Sequence, residues 1–351
     1  MMPSRTLSHR GLKLAALFLL LLLAFFLDIA LGPVRIPLPA VGRIILSFPG
    51  QDSSWQYIVD QIRIPKAFTA VIAGCGLSVS GLQMQTLFRN PLAESSVLGV
   101  TAGASLGVAA VMLAGGNIAT LYTIRELGIS GSWLITIAGC LGAAGIMLLV
   151  VVVSKTVRNN VMMLIVGVMI GTITLSVINI WQYFSAPELV KDYLLWTFGS
   201  LGGVTGSQLY ILGTVTLAGL ILSFLSSKML DALLLGENYA RSMGVTAQRA
   251  RIIIICSTSL LAGSITAFCG PIGFIGIAVP QMARSIFSTS SHRILIPGCC
   301  LIGTVLMLLC DVIGQLPGSQ TILPINIITS LIGAPAVIWI VLSKNNINIY
   351  G

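Results

Sequence analysis

Residues 63–107 read RIPKAFTAVIAGCGLSVSGLQMQTLFRNPLAESSVLGVTAGASLG, and the reading of this stretch decides the fold. It opens on two cations, Arg63 and Lys66, at the mouth of an apolar run. The run closes on a polar break, Arg89-Asn90-Pro91, and a second apolar run then carries Gly99, Gly103 and Gly107 four residues apart. Apolar residues follow one another here without the polar alternation of a half-buried strand. Both runs are therefore expected to be helices, joined by a tight turn at one membrane face. Small residues at every fourth position let helix backbones touch. The glycines are expected to serve packing, with Gly74 and Ser78 opposite them.

Composition extends this reading to the whole chain. Of 351 residues, 56% are hydrophobic and 8% charged, with mean hydropathy +0.99. A soluble domain carries about 25% charged residues. The chain is thus an all-α polytopic membrane protein, since lipid accepts only helices or closed barrels and each spanning helix needs about 20 apolar residues. Such runs lie at about 14–31, 67–87, 92–114, 131–153, 161–184, 207–227, 250–269, 294–313 and 322–343. With a Gly-rich piece at 270–288 counted as a short helix, about ten transmembrane helices are expected. The half-apolar piece Tyr193–Gly203 is too short to span and suits a re-entrant or surface helix. The first run ends on Ala30-Leu31-Gly32, a small-x-small pattern compatible with a signal peptide, but its length favours a retained helix.

The net charge of +9 admits attraction to nucleic acid or anionic lipid, or simply the positive-inside bias. The bias accounts for it. With an inside N-terminus, thirteen of the nineteen Lys and Arg residues fall in inside loops, so both termini are expected in the cytoplasm, with lipid and no nucleic acid as surroundings. The seven cysteines lie in apolar runs without a C-x-x-C pair and read as small buried residues, not as a metal or disulfide framework.

Several chemistries are excluded. All ten Asp and Glu residues fall in loops or near helix ends, so no intramembrane carboxylate chain for ion coupling is expected. No G-x-x-x-x-G-K-[ST] loop is present to hold ATP phosphates, and no catalytic cluster stands out. Uphill transport would need energy from a partner. The segment 228–248, KMLDALLLGENYARSMGVTAQ, suits such a partner: Leu233 to Leu235 form an apolar ridge, Gly236 breaks it, and Glu237 opens a second short helix that Gly244 can end. A plain cytoplasmic connector is the alternative reading.

These residues resemble the FecCD family, the permeases of type II ABC importers for iron-siderophores, haem and vitamin B12. The resemblance covers about residues 40–342. It rests on R-x-P-[RK] at Arg63–Lys66, S-G-x-x-x-Q at Ser80–Gln85, R-N-P-L-A at Arg89–Ala93 and L-G-x-x-x-G-A at Leu98–Ala104. Further on stand W-x-x-G-S-L at Trp196–Leu201, G-P-I-x-F-x-G at Gly270–Gly276 with Pro280 and Arg284, and I-G-A-P at Ile332–Pro335. Three positions depart from the family pattern: Gln281 stands where His is usual, Gln315 where Arg is usual, and Ile322 where Glu is usual.

The resemblance implies a bacterial inner-membrane permease, not itself an enzyme, importing an iron chelate, with a ferric siderophore preferred over haem or cobalamin. It implies a second copy of the chain, two ATPase subunits that bind ATP, and a periplasmic binding protein. Arg63 and Lys66 would dock the binding protein. Asn90 and Leu92, with Asn159 and Asn160, would form the cytoplasmic gate. Gly236, Glu237, Ala240, Arg241 and Gly244 would couple to the ATPase, and Trp196, Gly199 and Ser200 would line the pathway. No metal and no cofactor of its own are expected. An ion-coupled secondary transporter is the rival reading.

Overall fold

Ser53–Phe88 is one helix of 36 residues at the centre of the molecule, with 78% of its most apolar window buried against 17% for the first helix. The structure, a computed structural model, describes residues 4–46, 52–114, 129–157, 160–315 and 322–343. Among these, every regular element is a helix: α1 (Ser4–Ala30), α2 (Leu38–Ile45), α3 (Ser53–Phe88), α4 (Val100–Met112), α5 (Ile129–Thr156), α6 (Asn160–Phe184) and α7 (Pro187–Thr197). Then follow α8 (Gly206–Leu225), α9 (Ser227–Leu234), α10 (Glu237–Ser242), α11 (Ala247–Cys269), α12 (Ile275–Phe287), α13 (His292–Gly314) and α14 (Ile325–Ser343). Seven of them (α1, α3, α5, α6, α8, α11 and α13) are long and apolar enough to cross a membrane, and α4 and α14 are shorter apolar helices.

The packing inside is set by glycines. A Cβ on Gly74 would lie 2.4 Å from the Gly303 carbonyl oxygen, and one on Gly303 the same distance from that of Gly74. Beside this crossing, the Ser78 hydroxyl donates to the Cys299 carbonyl at 2.8 Å. Gly74 and Ser78 thus face α13. Gly103 and Gly107 face α5 instead, where a Cβ on Gly107 would come within 1.9 Å of the Ala138 oxygen. The two arms of the opening stretch are built for different neighbours, not for each other as expected.

The second arm also starts late. Residues 90–99 are irregular apart from one tight turn at Ser95–Leu98, and α4 begins only at Val100. Pro91 lacks a backbone donor, and Gly99 sits at φ +76° in the left-handed region. The irregular piece climbs back along α3. Glu94 lies against Gly276, which also faces Leu77 and Gly81. Leu77 is 11 residues before the end of α3, about 16 Å along the axis at roughly 1.5 Å per residue. Non-helical backbone at such depth is tolerated because protein surrounds it. The piece 270–288 is interrupted in the same way: irregular as far as Phe274, then helical as α12.

Candidate functional site

At the Arg63 end of α3, five polar side chains meet. Arg63 is 6% exposed and turns inward. Its guanidinium donates to the carbonyls of Ile29 (2.8 Å), Ala30 (2.9 Å) and Val34. The end of α1 leaves carbonyls without helical donors, and Arg63 fills that need. Lys66 pairs with Asp311 at 2.9 Å. The Gln315 amide donates to Asp28 (2.9 Å) and Asp311 (2.8 Å), both buried. Where the family pattern has a cation, this chain places a neutral amide between two buried acidic side chains, one of which pairs with Lys66. Gln315→Leu strips both acids of a donor and is expected to cost about 1–3 kcal/mol. Thermal unfolding in detergent would read this, and an unchanged midpoint would remove the bridging role.

At the Arg89 end, the turn at Arg89–Leu92 and α12 form a second polar cluster. The Asn90 side-chain oxygen accepts from the Leu92 N–H at 3.0 Å, fixing the turn. Leu92 itself is 48% exposed. Gln85 donates to the carbonyls of Gly276 (3.3 Å) and Ile277 (3.2 Å) and accepts from Gln281 (3.1 Å) and Arg284. Gln281 also donates to the Pro91 carbonyl at 3.1 Å. The departure at Gln281 therefore ties α12 to the turn, which a reading of sequence could not supply. Glu94 lies against Gly276 at the start of α12, and the Ser96 hydroxyl donates to its carboxyl group at 3.5 Å. At the far end of α12, Lys13 donates to the Ile286 carbonyl. Glu94 lies in irregular chain, as expected of the acidic residues, but that chain runs deep beside α3. Asn159 lies outside the described residues, and Asn160 opens α6.

The segment 228–248 forms two short helices, as expected, but its apolar ridge is turned differently. Leu233 is buried, and the side left open carries Leu235 (66% exposed), Tyr239 (48%) and Met243 (61%), with Arg241 also exposed. Spacing of four places Tyr239 and Met243 along one side of α10 and its end, and Leu235 is the exposed residue just before the break at Gly236. Gly236 joins the helices at φ 117°, ψ 153°. Ala240 is fully buried, and Gly244 ends α10 at φ +80°. Asp231 in α9 accepts from His292 through both the backbone N–H (2.8 Å) and ring Nδ1 (2.6 Å). Burial would raise its carboxyl, but these donors outweigh burial and hold it below the ordinary 3.8.

Trp196 is half-buried and stacks on Tyr193 with centroids 6.0 Å apart. Gly199, at φ +74°, packs on the break at 269–274, and the Ser200 N–H donates to the Cys269 carbonyl at 2.7 Å. Asn326 closes the junction: its N–H donates to the Phe198 carbonyl (3.2 Å) and its side chain accepts from the Gly273 N–H (3.1 Å). Three interruptions of the chain therefore meet, an arrangement that spacing alone did not reveal. Among the described residues no cluster of three or more His, Cys, Asp or Glu is arranged to hold a metal.

Comparisons with known proteins agree with this architecture. Residues 20–343 match the model of the FecCD transport family. The vitamin B12 import system permease protein BtuC of Salmonella arizonae is 32% identical over 334 residues, covering 94% of each chain. The hemin transport system permease protein HmuU of Yersinia pestis is 30% identical, covering 93% of this chain and 95% of its own. Among solved structures, an inward-facing metal-chelate type ABC transporter superposes with TM-score 0.80 at 26% identity, covering 95% of this chain and 99% of that one.

Proposed function

Because the chain belongs to the FecCD transport family, we propose that it is the membrane-spanning permease of an ATP-driven importer for a large metal chelate. The observation that carries this is the open apolar side of Leu235, Tyr239 and Met243 beside Arg241, on a segment outside the long spans. An apolar face on a polar knob fits a soluble partner, and the partner proposed is an ATPase subunit that binds ATP. The whole chain acts as one permease domain, with 228–248 as its coupling segment. Two copies form the pathway, and both termini face the cytoplasm of a bacterial inner membrane.

The cargo class follows from relatives named for vitamin B12 and hemin, with a ferric siderophore as the preferred member. A periplasmic binding protein docks at the Arg63 end of α3. There Lys66 is the cation nearer the surface and Arg63 holds the backbone behind it; opposite charges at such a rim set encounter and register more than affinity. Asn90 and Leu92, with Asn159 and Asn160, form the cytoplasmic gate. Trp196, Gly199 and Ser200 line the outer part of the path.

Proteoliposomes holding the chain with its ATPase subunit test this directly. Uptake of a chelate is expected to require both the ATPase subunit and ATP. Uptake driven by an ion gradient, with no ATPase present, would favour a secondary transporter and overturn the proposal.

A further inference from the structure

The coupling segment is fastened to the membrane helices by a specific set of bonds. Asp231 projects from α9 to the first residue of α13. The N-cap of α13, Ser291, gives no side-chain cap of its own. Asp231 does that work from another part of the chain, taking the backbone N–H of His292 at 2.8 Å. A carboxylate there also meets the positive end of the helix. The same oxygen takes ring Nδ1 of His292 at 2.6 Å, so that nitrogen carries a proton. The other ring nitrogen, Nε2, lies 2.8 Å from the Thr86 hydroxyl on α3. His292 is fully buried between them.

A second fastening runs beside the first. Arg89, just past the end of α3, donates to the last carbonyls of α9: Leu233 at 3.1 Å and Leu234 at 3.1 Å. Capping by a cation suits the negative end of a helix. Thus α9 is bound to α13 through Asp231 and to α3 through Arg89, while His292 and Thr86 bind α13 to α3. These two helices are already locked by the Gly74–Gly303 crossing. The three elements make a closed frame. Arg89 belongs to the same turn as Asn90 and Leu92.

We propose that Asp231, His292, Thr86 and Arg89 form a transmission joint that carries movement of the coupling segment into α3 and so to the turn at Leu92. These are positioning residues; they touch neither cargo nor nucleotide. The joint rests on the reading of 228–248 as the ATPase contact and of Leu92 as part of the gate. A loose linker would let a partner move without moving the turn. A frame in which the Asp231 and Arg89 bonds are charge-assisted, each about twice as strong as a neutral one, moves as one piece.

The test uses the purified complex of the full chain with its ATPase subunit, with a spin label on a cysteine introduced at exposed Leu92. The label spectrum is recorded without nucleotide and with ATP plus vanadate. In the parent protein the spectrum is expected to change with nucleotide. In Asp231→Asn and in Thr86→Val, both close in volume to the residues replaced, the change per trapped nucleotide is expected to fall at least about fivefold, the lower range of a measurable coupling energy. Two variants on opposite sides of His292 keep the test open if one fails to fold. A full response in either folded variant would overturn the joint. A parent complex without any response at Leu92 would instead overturn the coupling reading, and the joint with it.

Discussion

Gly81→Ala is expected to leave little folded protein. A Cβ at Gly81 would lie 1.9 Å from the Gly276 carbonyl oxygen and 2.4 Å from its Cα. Both are backbone atoms, so no side chain can swing away. The backbone of Gly276 is held in turn by Gln85, which donates to its carbonyl, and Glu94 packs against it. Relieving the clash means moving α12 off α3, and that breaks the polar cluster at the turn as well. A loss above about 4 kcal/mol, the range reserved for disrupted packing or buried polar networks, is expected. Gly145→Ala is the matched control: nothing lies within 4 Å of its Cβ, and alanine in a helix gains up to about 1 kcal/mol over glycine. Yield of monodisperse protein in detergent and its thermal midpoint would compare the two. Equal behaviour would mean that α3 and α12 do not cross this closely.

What the sequence made legible follows from the range over which each signal acts. Long apolar runs and polar breaks are local, and they mark the seven long helices and the two short ones at 228–248. The family motifs fall where chain interruptions meet: Arg89–Ala93 at the turn, Trp196–Leu201 and Gly270–Gly276 at the junction with Asn326. Contacts over long separations left no local trace. Arg63 reads as a cation at an interface, because nothing near it in sequence announces that the end of α1 needs donors. Residues 92–99 are apolar enough to pass for the start of a span, yet Pro91 and Gly99 keep them irregular, and Glu94 is carried deep beside α3. Leu233 and Leu235 look alike in sequence. Only the packing of α9 decides that Leu233 turns in and Leu235 out. The pairing of Asp231 with His292 spans 61 residues and has no motif.

The second large effect is expected at Gly236, where proline should release the ATPase subunit without unfolding the membrane helices. Gly236 has φ 117° and ψ 153°, a region open essentially to glycine alone and costing other residues about 1–3 kcal/mol. Proline is fixed near φ −65° and cannot enter it. The Gly236 N–H donates to the Leu233 carbonyl at 3.1 Å, and proline has no such donor. A Cβ there would also approach Arg89 Nη2 at 3.0 Å, pushing on the cation that caps α9. The chain between α9 and α10 must take another course, which displaces exposed Leu235 relative to Tyr239 and Met243. None of these atoms belongs to a long span, and the Gly74–Gly303 and Gly81–Gly276 crossings are untouched. Strain of that size corresponds to about fivefold or more in an equilibrium. The ATPase subunit retained through purification is therefore expected to fall at least about fivefold, with the chain's thermal midpoint unchanged. Full retention of the ATPase would mean that the partner does not read the open side of Leu235, Tyr239 and Met243. A fall in both retention and midpoint would instead make Gly236 a residue of the fold, since only a contact surface can fail while the helices beneath it stand.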